Sequence, residues 1–195
     1  IVNPGEVGII TRFGKYDRQV GDGPHYRAPY PIESAEIINT QLLRTIVIGQ
    51  SSESAKLSQG KAEESSMFTG DENIVHMQFN VQYSISDARK YRFNVKEPDK
   101  TIAIAAEAAM REVVGRSNID SILTAGRAEV QVDALKVLEN ILASYDIGVR
   151  IHTVQLLDVQ PPTEVEAAFK DVASAREDKV RIINQAEAYR MEIVP

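Results

Sequence analysis

The sequence predicts an α+β fold in which strands come first, then helices, then one more strand and a long terminal helix. Three observations carry this. Apolar and polar residues alternate strictly over 75–85. After Ser86-Asp87 the apolar spacing changes to threes and fours. Beyond Pro161-Pro162, apolar and charged positions recur at helical spacing for about thirty residues.

The alternating stretch organises the rest. Val75, Met77, Phe79, Val81, Tyr83 and Ile85 share one side, and His76, Gln78, Asn80, Gln82 and Ser84 share the other. Strand side chains alternate faces, so this is a half-buried strand about 40 Å long with its apolar side on a core. The opposite side is polar without a charge run, open to water or to another chain.

Earlier elements follow from turn residues and alternation. Asn3-Pro4-Gly5 is a turn, and Glu6 to Phe13 alternates as a strand with Val7, Ile9 and Phe13 on one face. Residues 14–23 read as a loop or hairpin. Residues 24–32, rich in proline and aromatics, cannot be helical. Strands are expected over 35–41 and 42–48. Residues 51–66 are serine-rich and charged with almost no large apolar side chain, the composition of a solvated loop or disordered link.

Past Asp87 the chain reads as helix. A short one is expected over 87–93. The next starts at Glu97-Pro98-Asp99, runs through Thr101 to Val114 and closes at Gly115, with Ala103, Ala105, Ala106, Ala108 and Ala109 along one side. Residues 119–123 form a short helix at best. Thr124 is expected to cap a longer helix to Tyr145, with Val130, Ala134, Leu135, Leu138, Ile141 and Leu142 as its core stripe and Gly148 as its stop. Residues 149–159 are a strand. Thr163-Glu164-Val165-Glu166 then matches a capping box opening a helix to about Met191. Its apolar stripe is Val165, Phe169, Val172, Ala175, Ile182, Ile183, Ala186 and Tyr189, interrupted by Lys179, with charges of both signs such as Arg176 and Glu177 beside it. Such charges on a lone helix are solvated; here the stripe is expected to pack on a neighbouring subunit, because a helix of this length at the chain end has little domain left to cover it.

Composition limits the functions available. The 195 residues suit one large domain or two small ones with a tail, and 43% apolar residues suffice for a core. Net charge is −6, and after residue 100 ten Lys and Arg face fifteen Asp and Glu. No basic stripe interleaved with aromatics exists, so nucleic acid is not an expected partner. Cysteine is absent, which removes disulfides and thiolate chemistry and fits either redox compartment. No run of about eighteen apolar residues occurs, so this stretch does not span a bilayer. It opens at Ile1 without methionine and closes while a helical pattern still runs, as a piece of a longer chain would, and an upstream membrane anchor is compatible with it.

No catalytic constellation assembles. His25, His76 and His152 lie far apart without metal-ligand spacing. Asp71 and Glu72 leave a turn toward different sides, which argues against acid/base pairing; Asp71 suits a turn-amide acceptor. The glycines at 14, 21 and 23 lack the setting of a phosphate loop. No catalytic residue, cofactor site or metal site is expected. Two readings stay open for the proline–aromatic segment with Tyr26, Pro29, Tyr30, Pro31 and Ile32: a rigid turn whose tyrosines pack locally, or a shallow contact with a lipid–water interface.

In order along the chain, Pro4-Gly5-Glu6-Val7-Gly8, Arg12-Phe13-Gly14-Lys15-Tyr16, His25-Tyr26-Arg27 and Pro29-Tyr30-Pro31-Ile32-Glu33 resemble the start of the stomatin/prohibitin/flotillin (SPFH, or band 7) domain. Thr69-Gly70-Asp71-Glu72-Asn73, Val81-Gln82-Tyr83, Arg111-Glu112-Val113-Val114-Gly115-Arg116, Gly126-Arg127 and Pro161-Pro162 with Glu164-Val165 extend the resemblance to nearly the whole chain and to a bacterial branch of that family. Phe68, Pro24 and His76 depart from its pattern, where leucine, leucine and an acidic residue are usual. The resemblance implies a mixed, curved sheet packed by helices, divided into a membrane-proximal subdomain at 1–66, a second α+β subdomain at 67–160 and an oligomerisation helix from 161. It also implies a scaffold, not an enzyme: a domain on the periplasmic side of the bacterial inner membrane that assembles with an HflC-like paralogue and restrains an FtsH-like ATP-dependent membrane protease. A stomatin-like organiser of membrane microdomains is the alternative. If the terminal stripe joins subunits, placing charges at Phe169 and Ile182 abolishes large assemblies of the full chain with its partner; unchanged sedimentation contradicts it.

Overall fold

The computed structural model describes residues 2–49, 66–123, 126–161 and 166–193. The α+β class holds, and among the described residues every strand pairing is antiparallel, in two sheets where one mixed sheet was expected.

Strand β1 (Glu6–Arg12) is central in the first sheet, between β2 (Lys15–Val20) and β3 (Glu33–Asn39). The tip of the β1–β2 hairpin is Phe13-Gly14, both with positive φ (49° and 82°). Phe13 therefore leaves the strand face it was expected to share with Ile9 and is 75% exposed, while Ile9 and Ile10 are both buried on opposite faces. The Ile9 face, with Val7 and Ile38, joins the main core. The Ile10 face looks away from it.

The second sheet is built on the long strand. β6 (Ile74–Ile85) takes β4 (Arg44–Ile48) and β5 (Ser66–Phe68) along one edge and β7 (Val149–Gln160) along the other. All six residues assigned to its apolar face are 2% exposed or less. Because β4 pairs with residues 79–83, residues 44–48 belong to this sheet and not with the N-terminal strands. Ser66, read as the end of the serine-rich loop, is the first residue of β5; the rest of that loop lies outside the described residues.

Four helices follow the sequence pattern with local differences. α1 (Ala88–Phe93) is capped by Asp87, whose carboxylate accepts from the Arg89 and Lys90 amides. α2 (Pro98–Val114) buries Ile102, Ala105, Ala106, Ala109, Met110, Val113 and Val114; Ala103 is only partly covered and Ala108 is exposed, since five alanines spread over seven positions cannot share one face. After α3 (Ile119–Leu123), α4 (Arg127–Tyr145) begins behind Gly126, later than a Thr124 cap would place it; Thr124 lies outside the described residues. α4 stops at Asp146 and not at Gly148. Asp146 takes the left-handed conformation (φ 50°), and its side chain and carbonyl receive Lys90 Nζ (2.7 Å) and Asn94 Nδ2 (2.8 Å). Gly148 (φ 73°) instead turns the chain into β7, its carbonyl accepting from the Ser86 and Asp87 amides.

The Thr69–Asn73 turn before β6 is tied to the helices. Asp71 Oδ1 accepts from the Thr69 hydroxyl (2.6 Å) and the Ile119 amide (3.1 Å), and the Thr69 bond above all holds its pKa below the ordinary carboxylate value. Gly70 donates to the Ser117 carbonyl, and a Cβ on it would come within 3.1 Å of the Gly115 carbonyl. On the far side, the hydroxyls of Tyr83 and Tyr91 both donate to Asp99 Oδ1, at 2.6 and 2.5 Å. Burial opposes ionisation of Asp99, yet the two hydroxyls and nearby Arg44 leave its pKa lowered; burial pushes the Tyr91 hydroxyl up to about 12.

The core depends on the inward face of β6. Phe79→Ala, at a fully buried position, is expected to lower the unfolding free energy by about 3–5 kcal/mol, whereas Gln155→Ala on the exposed side of β7 changes it by less than about 0.5 kcal/mol. Urea denaturation followed by circular dichroism measures both.

Candidate membrane-facing and assembly surfaces

The outward face of the first sheet carries a buried carboxylate that pins the proline–aromatic loop. Glu33 is 3% exposed. Its Oε1 accepts from Arg12 Nη2 at 2.8 Å and Arg18 Nη1 at 3.3 Å, and its Oε2 accepts from the Ala28 amide at 2.9 Å. Arg18 also donates to the Tyr26 carbonyl at 3.3 Å, so one ion cluster holds the loop at both residues 26 and 28. The Arg12 bond first, then the Ala28 amide, outweigh the effect of burial and bring the Glu33 carboxyl from an ordinary 4.5 down to about 2. Asp17 completes the cluster beside both arginines.

With its backbone pinned, the loop turns its side chains outward. Tyr26 is 96% and Tyr30 84% exposed, and Ile32 is partly so. The tyrosines therefore do not pack locally, which removes the rigid-turn reading in its original form. Phe13 joins the group, since its amide donates to the Ile32 carbonyl. Pro29 and Pro31 are exposed with them. Four large apolar or aromatic side chains on one sheet end form a patch of the kind that meets a lipid interface or another chain.

The second surface is α5 (Glu166–Ile193), about 42 Å of helix. Every α5 residue whose exposure is described lies in solvent, including Val172, Ala175, Lys179, Ile182, Ile183, Ala186 and Tyr189. Of Phe169, Arg176 and Glu177 only the backbone is described, and Val165 and the Thr163 cap lie outside the described residues. The Arg181–Asp178 pair runs along the helix at 2.7 Å with both partners exposed, a contact worth little to stability.

Two cross-strand serine–histidine pairs occur on the polar face of the second sheet: Ser84 with His152 at 2.8 Å and Ser66 with His76 at 3.0 Å. A nucleophile and base so placed would also need an orienting acid and a cleft. Both pairs lie exposed on a strand surface. A cleft of about 560 Å³ between the end of α2, α3 and α4 is lined by charges that pair locally, Arg116 with Glu112 and Lys136 with Asp133 at 3.0 Å, and its lining contains no histidine. Among the described residues no three His, Asp or Glu side chains come together as metal ligands, and no helix is long and apolar enough to cross a membrane.

Sequence reading singled out the loop and the terminal stripe as candidates, and missed what holds the loop. The signal was present: Arg12 and Arg18 stand six apart around a hairpin tip, and Glu33 follows the proline run. Only strand register brings the three together, with Arg12 directly opposite Glu33.

A family model described as "SPFH domain / Band 7 family" matches residues 1–190. Over its whole length the chain is 37% identical to Protein HflK of Vibrio parahaemolyticus, covering 44% of that protein. It is likewise 37% identical to Protein HflK of Vibrio cholerae, covering 45% of it. With the Modulator of FtsH protease HflK of Escherichia coli K12 the identity is 33%, over 42% of that protein. The chain thus spans less than half the length of these relatives.

Because the Glu33 pKa is depressed on folding, its contribution to stability is present above the ordinary carboxylate value and is lost as pH falls toward about 2. Wild type is expected to lose thermal stability steadily between about pH 4.5 and 2. Glu33→Gln should be less stable at neutral pH and flatter across that window. Parallel curves from differential scanning calorimetry contradict the assignment.

Proposed function

The chain belongs to the SPFH/Band 7 family, and on that premise we propose that it is the scaffold domain of a membrane-anchored, HflK-like protein. In this reading it assembles with an HflC-like paralogue and modulates an FtsH-like ATP-dependent membrane protease, without chemistry of its own. Its place is the periplasmic side of a bacterial inner membrane, with the first sheet (β1–β3) and its loop nearest the bilayer, the second sheet and its helices beyond them and the terminal helix packed on its neighbours. Tyr26, Pro29, Tyr30, Pro31 and Ile32 would meet lipid. Val165, Phe169, Val172, Ile182, Ile183, Ala186 and Tyr189 would form the seam between subunits, with Arg176, Glu177 and Lys179 setting its register.

The single observation that carries the reading is the exposed apolar stripe of α5. Val172, Ile182, Ile183 and Tyr189 are each about half exposed or more, on a helix whose described side chains all lie in solvent. A stripe at steps of three and four with flanking charges of both signs matches a helix that packs in parallel with copies. The relatives support the choice of partner, since one carries modulation of the FtsH protease in its name.

Isolation of the full-length protein from membranes in mild detergent tests the partner. An ATP-dependent protease and a paralogue of this chain are expected to co-purify. Recovery of assemblies with neither would contradict the protease role and favour a stomatin-like organiser.

A further inference from the structure

Beside the Glu33 cluster, the outward face of the first sheet contains a groove that the loop leaves open. It has a volume of about 250 Å³ and is lined by Val2, Gly8, Ile10, Val20, Ala35 and Ile37, with His25 and Arg27 on its rim. Strand register accounts for the lining: Gly8 sits between Val20 and Ile37, and Ile10 lies opposite Ala35, so these side chains share a face. Gly8 keeps the floor low, because a Cβ there would come within 2.7 Å of Val20 Cγ2. Ile10 is 2% exposed at the bottom, and Ile37 is 52% exposed on the wall.

We propose that this groove holds one acyl chain of an anionic phospholipid whose phosphate is bound by Arg27. The proposal rests on the membrane-facing reading of the loop and names the molecule bound beside it. Three observations select that occupant. The volume is below that of ordinary pockets for drug-sized ligands, and an apolar floor and walls (Val2, Ile10, Val20, Ala35, Ile37) lie under a polar rim of His25 and Arg27, which suits a slender hydrocarbon carrying a polar head. Arg27 makes no hydrogen bond or ion pair among the described residues, although this face otherwise pairs its guanidinia: Arg12 and Arg18 are both held by Glu33 and Asp17. An unpaired cation at the mouth of an apolar groove is complementary to a phosphate at the head of a chain. Finally, the rim of the groove adjoins the loop in sequence. His25 and Arg27 on its rim flank Tyr26, which is 96% exposed, so a lipid in the groove would sit where the loop meets the bilayer. His25 is fixed in place by its Nε2 contact to the Gly21 carbonyl at 2.8 Å, which leaves Arg27 to take the headgroup.

Photolabelling tests this with the full-length protein in phosphatidylcholine vesicles. The probe is phosphatidylglycerol bearing a diazirine near the end of one acyl chain, compared with the same chain on phosphatidylcholine. Wild type is expected to be labelled at Val20, Ala35 and Ile37, about tenfold more by the anionic probe, as a charge-assisted contact allows. Arg27→Gln should erase the preference between probes. Ala35→Trp should fill the groove and remove its labels while those on Tyr26 and Tyr30 persist. If Ala35→Trp does not fold, Arg27→Gln carries the test, since that side chain is exposed and supports nothing. Labels confined to residues 26–32 overturn the groove and leave the membrane contact standing. No label on either overturns both. Equal labelling of the wild-type groove by the two probes overturns the role of Arg27.

Discussion

Strand β6 is hydrogen-bonded along both edges and buried along one face, and this constraint sets the positions of everything else. Residues 79–83 have partners in β4 and β7 at once. Segments more than a hundred residues apart are thereby brought side by side, and α2 and α4 are laid over the inward face. The first sheet docks on this body through Ile9 and Ile38, through the edge-to-face pair of Tyr16 and Phe93 at 5.8 Å, and through the Arg92–Glu36 pair at 2.7 Å. Its other face, with the Glu33 cluster, the loop and the groove, is consequently turned outward.

A core that closes without help has a functional corollary. Apart from Val2 and Ile10 on the outward face of the first sheet, the buried apolar residues form one continuous cluster drawn from both sheets and from α1–α4, and the described part of α5 adds nothing to it. Apolar groups left outside are therefore not spare core. Phe13, Tyr26, Tyr30 and Ile32 at one end of the first sheet, and the stripe on α5, are the surfaces by which such a domain can meet a bilayer and copies of itself. In the proposed scaffold role these faces are presented in fixed geometry, the loop through a carboxylate held ionised by two arginines, the helix through its length.

The sequence was most legible where one periodicity ran long. The alternation over 75–85 assigned those residues of β6 to their correct faces, and the steps of three and four in α4 picked out Val130, Ala134, Leu138 and Leu142 as its buried line. It was least legible where conformation is decided by partners distant in sequence. Phe13 reads as one more apolar strand residue, and only the hairpin tip shows why it faces water. Asp146 replaces Gly148 as the end of α4 because Lys90 and Asn94, over fifty residues earlier, stabilise a left-handed aspartate. Asp99 reads as the acid of a helix start, yet it also receives two tyrosine hydroxyls that only the packing of α2 on β6 and α1 brings near. The ion cluster under the loop was hidden for the same reason: no local pattern links Arg12, Arg18 and Glu33.

Hydroxyl-radical footprinting of the full-length protein, assembled in its native membrane and again after dispersal to single subunits in detergent, tests the central claim directly. The account predicts that Tyr26 and Tyr30 on the loop, and Ile182 and Tyr189 on α5, are protected in the membrane assembly and become reactive on dispersal, while Phe79 and Val81 stay protected in both. Equal, high reactivity of the loop and helix residues in both states would mean that these surfaces meet nothing, and would contradict it.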